Sequence, residues 1–494
     1  MIVNTLLKQV KKGAQKKQGN KISTKISKEF STLLSETYKI TTAEEDHHDP
    51  KAYPFLISTS RGFMPREKPH TKLPARFAPL ESILKRMVWH QPDGTPGLMQ
   101  KKQLEDAVKN ELPILEVGDI TDTMEQLAIY RDYSFLNNAF VLEPCHHNWE
   151  KTGNSYGLGR DFLPKNIAVP YTKISKMLEL KPYLEYNTGY GLNNWKFIDE
   201  KQGFKYENMD VIRMFYGTDS ERGFILTHCT INSFAGNLIR AGTNALKAAE
   251  TDNRSLFDTS ISEMKDSLMY MNVELNRMFI ESNPKDYNTF RTFIMGITGQ
   301  PMFPKGVVYE DCFDGKPQFY RGETGANDSI IPFCDNLLEI TARLPKNLLT
   351  DMLRDFRTYR PKSHQDYLKW VEETSTKIGM INYAKKSSHS MVMMLEVADQ
   401  IRTFRHTHWV LTNLYIMNYS AHPLATGGSP IVRYLPNQLL AVVDYIKEYS
   451  KHVNVSTLNS TDRFNFEAVL NRAESDEQVI NRQIEKRSKQ YKNQ

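Results

Sequence analysis

The 494-residue sequence predicts a mainly α fold, with a large all-helical domain capped by a smaller helical and irregular N-terminal domain. Three observations carry that reading. Ile261, Met264, Leu268, Met271, Leu275 and Met278 recur at the alternating three- and four-residue intervals of one apolar stripe on a long helix. Met394, Val397, Ile401, Phe404, His408, Leu411 and Tyr415 repeat the pattern. Strand-like alternation is scarce throughout.

Taken in order, residues 1–45 form a polar, Lys/Ser/Thr-rich extension. Residues 46–205 form the small domain. Its first part is rich in proline (Pro50, Pro54, Pro65, Pro69, Pro74, Pro79), which predicts irregular structure with a short helix around Leu80–Val88. Beyond it come helical patterns from about residue 113, then a Pro-bounded loop from Leu163 to Pro170. An amphipathic helix through Met177 and Leu178 and a Tyr/Gly/Asn-rich turn at 186–195 complete the domain. Residues 206–460 carry both long stripes, separated by a Gly/Pro-rich interval at 298–332 that is long enough for a functional loop. Residues 461–494 are charged and only weakly amphipathic, the pattern of a solvated helix or frayed tail.

The formal charge of +6 is concentrated at one end, because the first 28 residues hold eight lysines and no acid. The rest of the chain sums to a slightly negative value, which disfavours a nucleic-acid-binding body. No apolar run is long enough to span a bilayer. Four cysteines without a C-x-x-C pair suit a reducing compartment, and no secretory leader is evident, so the expected location is cytoplasmic.

His408 occupies a core position of a seven-member apolar stripe. An imidazole there either hydrogen-bonds a carbonyl or tyrosine hydroxyl, or serves as the proximal ligand of a haem. His406 lies roughly 200° around the same helix, so the two do not form a metal pair. Arg405 flanks the stripe, where it is either a surface residue or a propionate partner. His228 sits in a second stripe with Phe224, Ile231, Ala235 and Leu238, again as a satisfied core histidine or a pocket residue. Arg291, beside the aromatics of Tyr287 and Phe290, either snorkels to solvent or clamps a carboxylate. Gly157-Leu-Gly159 is no dinucleotide fingerprint, and no phosphate-loop, zinc or serine-nucleophile motif occurs.

Seven collinear blocks resemble the indoleamine 2,3-dioxygenase family of haem enzymes, between roughly Ala52 and Ile446. They are Leu163-Pro-Lys-Asn-Ile-Ala-Val-Pro-Tyr171, Tyr206-Glu-Asn-Met-Asp-Val211, Asn283-Pro-Lys with Arg291 following, Gly306-Val-Val-Tyr-Glu310, Arg321-Gly-Glu-Thr-Gly325, Arg357-Thr-Tyr-Arg-Pro-Lys-Ser-His364 and Ala425-Thr-Gly-Gly428. The resemblance implies haem b between long helices, with His408 of Arg405-His-Thr-His408 as proximal ligand and Arg405 as propionate partner. It implies that Arg291 takes the substrate carboxylate, and that Tyr186, Phe224 and Ile294 line the pocket. Gly322, Glu323 and Thr324 would form the loop over the distal face, and Thr426 the loop that closes on substrate. One residue is inserted before Asn194-Trp195 relative to the family pattern. His228 stands where mammalian-type members carry a small hydroxyl residue, and in this respect it resembles the distal histidine of tryptophan 2,3-dioxygenases.

The activity so implied is dioxygen-dependent opening of the indole C2–C3 bond of L-tryptophan or a close analogue to N-formylkynurenine, as in the kynurenine pathway. His228 and the polar loop residues Glu323, Asn327 and Asp328 keep open an oxygenase acting on a substituted indole or other aromatic amino acid in secondary metabolism. A non-catalytic haem or gas sensor, with the lysine arm as docking element, is the third possibility.

Overall fold

The computed structural model describes residues 57–344, 348–419 and 424–492, together with Phe55 and His422. The lysine-rich extension of residues 1–45 lies outside the described residues. The fold is mainly α, and among the described residues the only sheets are two pairs of short strands. Strands β1 (Phe162–Leu163) and β4 (Val308–Tyr309) run parallel, and β2 (Trp195–Phe197) and β3 (Met209–Val211) antiparallel.

The N-terminal part packs the short helix α1 (Ala78–Met87) against both α2 (Leu104–Glu111) and the long α3 (Thr123–Thr152). Asp122 starts α3 by accepting the Glu125 amide at 2.7 Å, and Gly153 ends it at φ 70°, a left-handed conformation that suits glycine. The segment expected as a Pro-bounded loop is instead the first half of α4 (Lys165–Met177). Pro164 initiates this helix as its N-cap residue, and Pro170 is tolerated inside it while Ile167, Ala168, Tyr171 and Ile174 are buried. The Tyr-rich segment that follows is a buried π-helical turn, Tyr186–Tyr190, held by Glu185, whose carboxylate accepts the amides of Asn187 and Thr188.

The C-terminal part packs α5 (Asp219–Asn232), α6 (Ala235–Glu250) and α7 (Arg254–Leu275) against one another. The first predicted stripe lies on α7, whose Ile261, Met264, Leu268, Met271 and Leu275 are buried. Its last member, Met278, falls on the next helix, α8 (Met278–Glu281), and α9 (Pro284–Arg291) follows. Then come α10 (Ile330–Leu337), α11 (Ile340–Arg343), α12 (Leu348–Arg357), α13 (Lys362–Ile378) and α14 (Met380–Ala384). Helix α15 (Ser388–Thr412) carries the second stripe and passes into a π-helical turn, Asn413–Met417. It packs on α7, on α16 (Ile431–Ser450) and on α17 (Ser460–Lys492). The charged C-terminal segment is therefore a docked helix: Phe466, Val469, Ala473 and Ile480 of α17 are buried. Its charges meet partners on α15 and α16, through Asp476 with Arg402, Arg472 with Asp399 and Glu477 with Lys447.

All four cysteines are unpaired. No helix among the described residues is long and apolar enough to cross a membrane.

Candidate active site

Helices α5, α9 and α15, the loop at 323–328 and the segment 425–435 line a partly open cavity. Of the residues singled out from the sequence, Tyr186, Phe224, His228, Glu323, Thr324, His408 and Thr426 all line it. Helix α15 serves two purposes along its length. Met394, Val397 and Ile401 are fully buried in the core, whereas Phe404, His408, Leu411 and, in the following turn, Tyr415 face the cavity.

The imidazole of His408 exposes its surface to this cavity and has no hydrogen-bond partner among the described residues. Neither a carbonyl nor a tyrosine hydroxyl satisfies it. The surrounding protein, with His228 and Arg405 nearby, lowers its pKa and so favours the neutral ring, which keeps a lone pair free for a ligand. His406 turns away to Asp476 on α17, with Nδ1 3.0 Å from Oδ2.

His228 is fixed by its own helix. Its Nδ1–H donates to the carbonyl of Phe224 at 2.8 Å, a geometry that leaves Nε2 as an acceptor. Burial holds its pKa below the usual histidine value. Nε2 lies beside Gly325 of the loop, and the ring packs edge-on to Tyr186 and at 4.7 Å from the Phe224 ring. Phe224 in turn contacts Tyr190, Tyr287 and Phe290, forming an aromatic wall.

The loop at 323–328 is held from behind. Tyr186 Oη and Asn232 Nδ2 both donate to Asp328 Oδ2, at 2.9 and 2.7 Å. Buried Arg360 donates to the carbonyls of Ala326, Asn327 and Asp328. Gly322 does not line the cavity. It is a point of close approach where a Cβ would overlap the Gly296 amide and the carbonyls of Ile294 and Thr426. Ile294 is likewise buried behind the wall.

Two predicted arginines also stand one layer back. Arg291 is fully buried, with Nη2 donating to the Leu424 carbonyl at 2.8 Å, Nη1 3.3 Å from Tyr156 Oη, and Nε without a partner. Arg405 donates to Asp335 Oδ2 at 2.5 Å and to the Gln438 carbonyl at 3.1 Å. Near it, the unpartnered hydroxyl of the cavity residue Tyr434 lies in the field of Arg405, Arg357, Arg360 and Arg321.

Asp328, noted in the sequence as a polar residue of the loop, lines the cavity, and so do Asn232, Tyr287 and Tyr434, which sequence reasoning did not place in the site. Asn232 had a legible signal, since it follows His228 by one helical turn. Asp328 depends on Tyr186, which is 142 residues away in sequence.

A model of the indoleamine 2,3-dioxygenase family matches residues 51–441. The chain belongs to the indoleamine 2,3-dioxygenase family. It is 25% identical to indoleamine 2,3-dioxygenase 1 of Mus musculus over 76% of this chain and 85% of that protein. It is 26% identical to a 6-hydroxytryptophan 2,3-dioxygenase of Fusarium equiseti over 74% of this chain and 84% of that one. A protein named myoglobin in Haliotis diversicolor is 24% identical over 74% and 89%. As an indoleamine 2,3-dioxygenase family member the chain is an oxidoreductase. The free imidazole of His408, the mostly apolar cavity lining and the unpartnered Tyr434 hydroxyl, with arginines behind it, fit the haem that the family uses.

Proposed function

We propose that the cavity binds haem b and that the enzyme opens the indole C2–C3 bond of L-tryptophan, or a close analogue, to N-formylkynurenine. Both atoms of dioxygen enter the product. The observation that carries this reading is His408: a neutral imidazole on the cavity wall, without a protein partner, facing the second imidazole of His228. When bound, the haem supplies the ferrous iron that dioxygen chemistry needs.

The residues of the chain bind, orient and exclude water. His408 serves as proximal ligand, and Arg405 with the neighbouring arginines balances the propionates. Phe224, Tyr186 and Tyr287 sandwich the indole, and the Nε2 acceptor of His228 is suited to the indole N–H. Arg291 takes the substrate carboxylate by exchanging the Leu424 carbonyl for it, which couples carboxylate binding to the segment that carries Thr426. Holding the reactants in one orientation in a dry site is the protein's contribution to rate. We place this activity in the cytoplasm, in keeping with four unpaired cysteines.

The test is the ferrous–CO spectrum of purified protein with and without L-tryptophan, together with mass detection of a product heavier by two oxygen atoms. His408→Ala is expected to lose most of its haem and all turnover. Full haem occupancy with unchanged ligation in that variant overturns the assignment, and absence of product from every indole tried, with haem bound, overturns the reaction.

A further inference from the structure

Glu323 is only 2% exposed, lines the cavity, and has no hydrogen-bond or ion-pair partner among the described residues. Every other equally buried carboxylate among those residues is paired. Glu185 accepts backbone amides of its own turn, Glu221 accepts the amides of Phe215, Tyr216 and Gly217, and Asp335 meets Arg405. A buried polar group left without a partner is costly, and such groups are retained where something else completes them. We propose that Glu323 hydrogen-bonds a hydroxyl on the carbocyclic edge of the substrate ring, so that the preferred substrate is a hydroxylated indole amino acid. This rests on the reading of the cavity as an indole-oxidising site.

The placement follows from the loop. Gly325 lies over Nε2 of His228, while two residues earlier the Glu323 carboxyl acts on Tyr186, Tyr190 and Tyr287 of the aromatic wall. Glu323 and His228 line the same cavity from the loop and from α5, so a ring that presents its N–H to His228 has its carbocyclic edge left to meet Glu323. Burial and the nearby Glu185 push the Glu323 carboxyl up to about 8. Near neutrality it is a carboxylic acid, able to donate to a ring hydroxyl through O–H and to accept from it through C=O.

The test is steady-state kcat and KM of the haem-loaded enzyme for L-tryptophan and for its 4-, 5-, 6- and 7-hydroxy derivatives, on wild type, Glu323→Gln and Glu323→Leu. Sites that hydrogen-bond a substrate hydroxyl reject the analogue lacking it by large factors. One hydroxy isomer is expected to exceed L-tryptophan in kcat/KM by about a hundredfold or more. Glu323→Gln keeps most of that ratio, whereas Glu323→Leu brings it to within a few-fold. The ratio, measured at equal Soret absorbance, is insensitive to partial loss of folded protein. Preference of the wild type for L-tryptophan over all four isomers overturns the proposal, as does a ratio unchanged in Glu323→Leu. Equal loss on all amino acids in Glu323→Leu, absent with indole-3-propionate, also overturns it and assigns Glu323 to the ammonium. In each of these cases L-tryptophan or an isomer still gives product, so the oxidative reading itself survives.

Discussion

His228 spends one ring nitrogen on the carbonyl of Phe224, one turn earlier on α5, and so presents a single tautomer to the cavity. Because the helix itself makes that bond, the acceptor is oriented before substrate arrives. His228→Leu is expected to lower kcat/KM for L-tryptophan about tenfold or more, and to lose discrimination against an N1-methylated analogue, both read by steady-state kinetics. Glu323 predicts a second effect, on stability. Its carboxyl lies in the electrostatic field of Glu185 and acts on Tyr186, Tyr190 and Tyr287, and its folded-state pKa of about 8 lies above the ordinary 4.5. The fold therefore retains a proton that the unfolded chain releases, and the stabilisation present below about pH 4.5 is lost as pH rises to about 8. Thermal melts at pH 5 and pH 8 should differ less in Glu323→Gln than in wild type. The two histidines were legible as imidazoles interrupting apolar stripes. The environment of Arg291 was not, because its hydrogen-bond partner Leu424 lies 133 residues further along the chain.

Among the elements, α15 shows how far spacing can be trusted. One uninterrupted period correctly describes a single face, yet the upper half of that face packs against neighbouring helices and the lower half against the cavity. Periodicity reports that a face is shielded, not what shields it. Helix α17 failed for the opposite reason. Its docking uses Asp476, Glu477 and Arg472 paired to α15 and α16, and charges that meet partners read in hydropathy like charges that meet water. At the 296–322–426 contact, three backbone segments approach so closely that only glycine fits at 322. Gly322→Ala is expected to displace the distal loop and raise KM for substrate about tenfold or more, through a shift too small to alter the circular dichroism of this helical fold. A variant with wild-type KM would show that the contact yields without moving the loop.

At the scale of the whole molecule, one main apolar core, flanked by two small clusters around Phe356 and Trp409, joins described residues from Phe55 to Ala473, so the N-terminal wrap and the helical body are packed together. The mainly α architecture was visible in the sequence because long stripes need few long-range partners to be recognised. The loops at 323–328 and 425–429 acquire meaning only once α5, α9 and α15 bring them to one cavity. The charge of +6 belongs to the lysine-rich start, and deleting residues 1–28 is expected to leave haem content and turnover within about twofold of wild type, because that stretch of sequence is polar and lysine-rich and precedes the region of family similarity. Loss of haem on that deletion would assign the arm a part in the fold.

The helix that bears His408 is also the one that α7, α16 and α17 share. On the proposed reading, the group that coordinates that imidazole would be linked to global unfolding, since a ligand bound only by the native state stabilises it by about 1.4 kcal/mol for each tenfold excess over its dissociation constant. Cofactor supply and protein lifetime become one equilibrium: a cell short of the prosthetic group would hold this enzyme closer to its melting point, and so closer to the proteases that remove it.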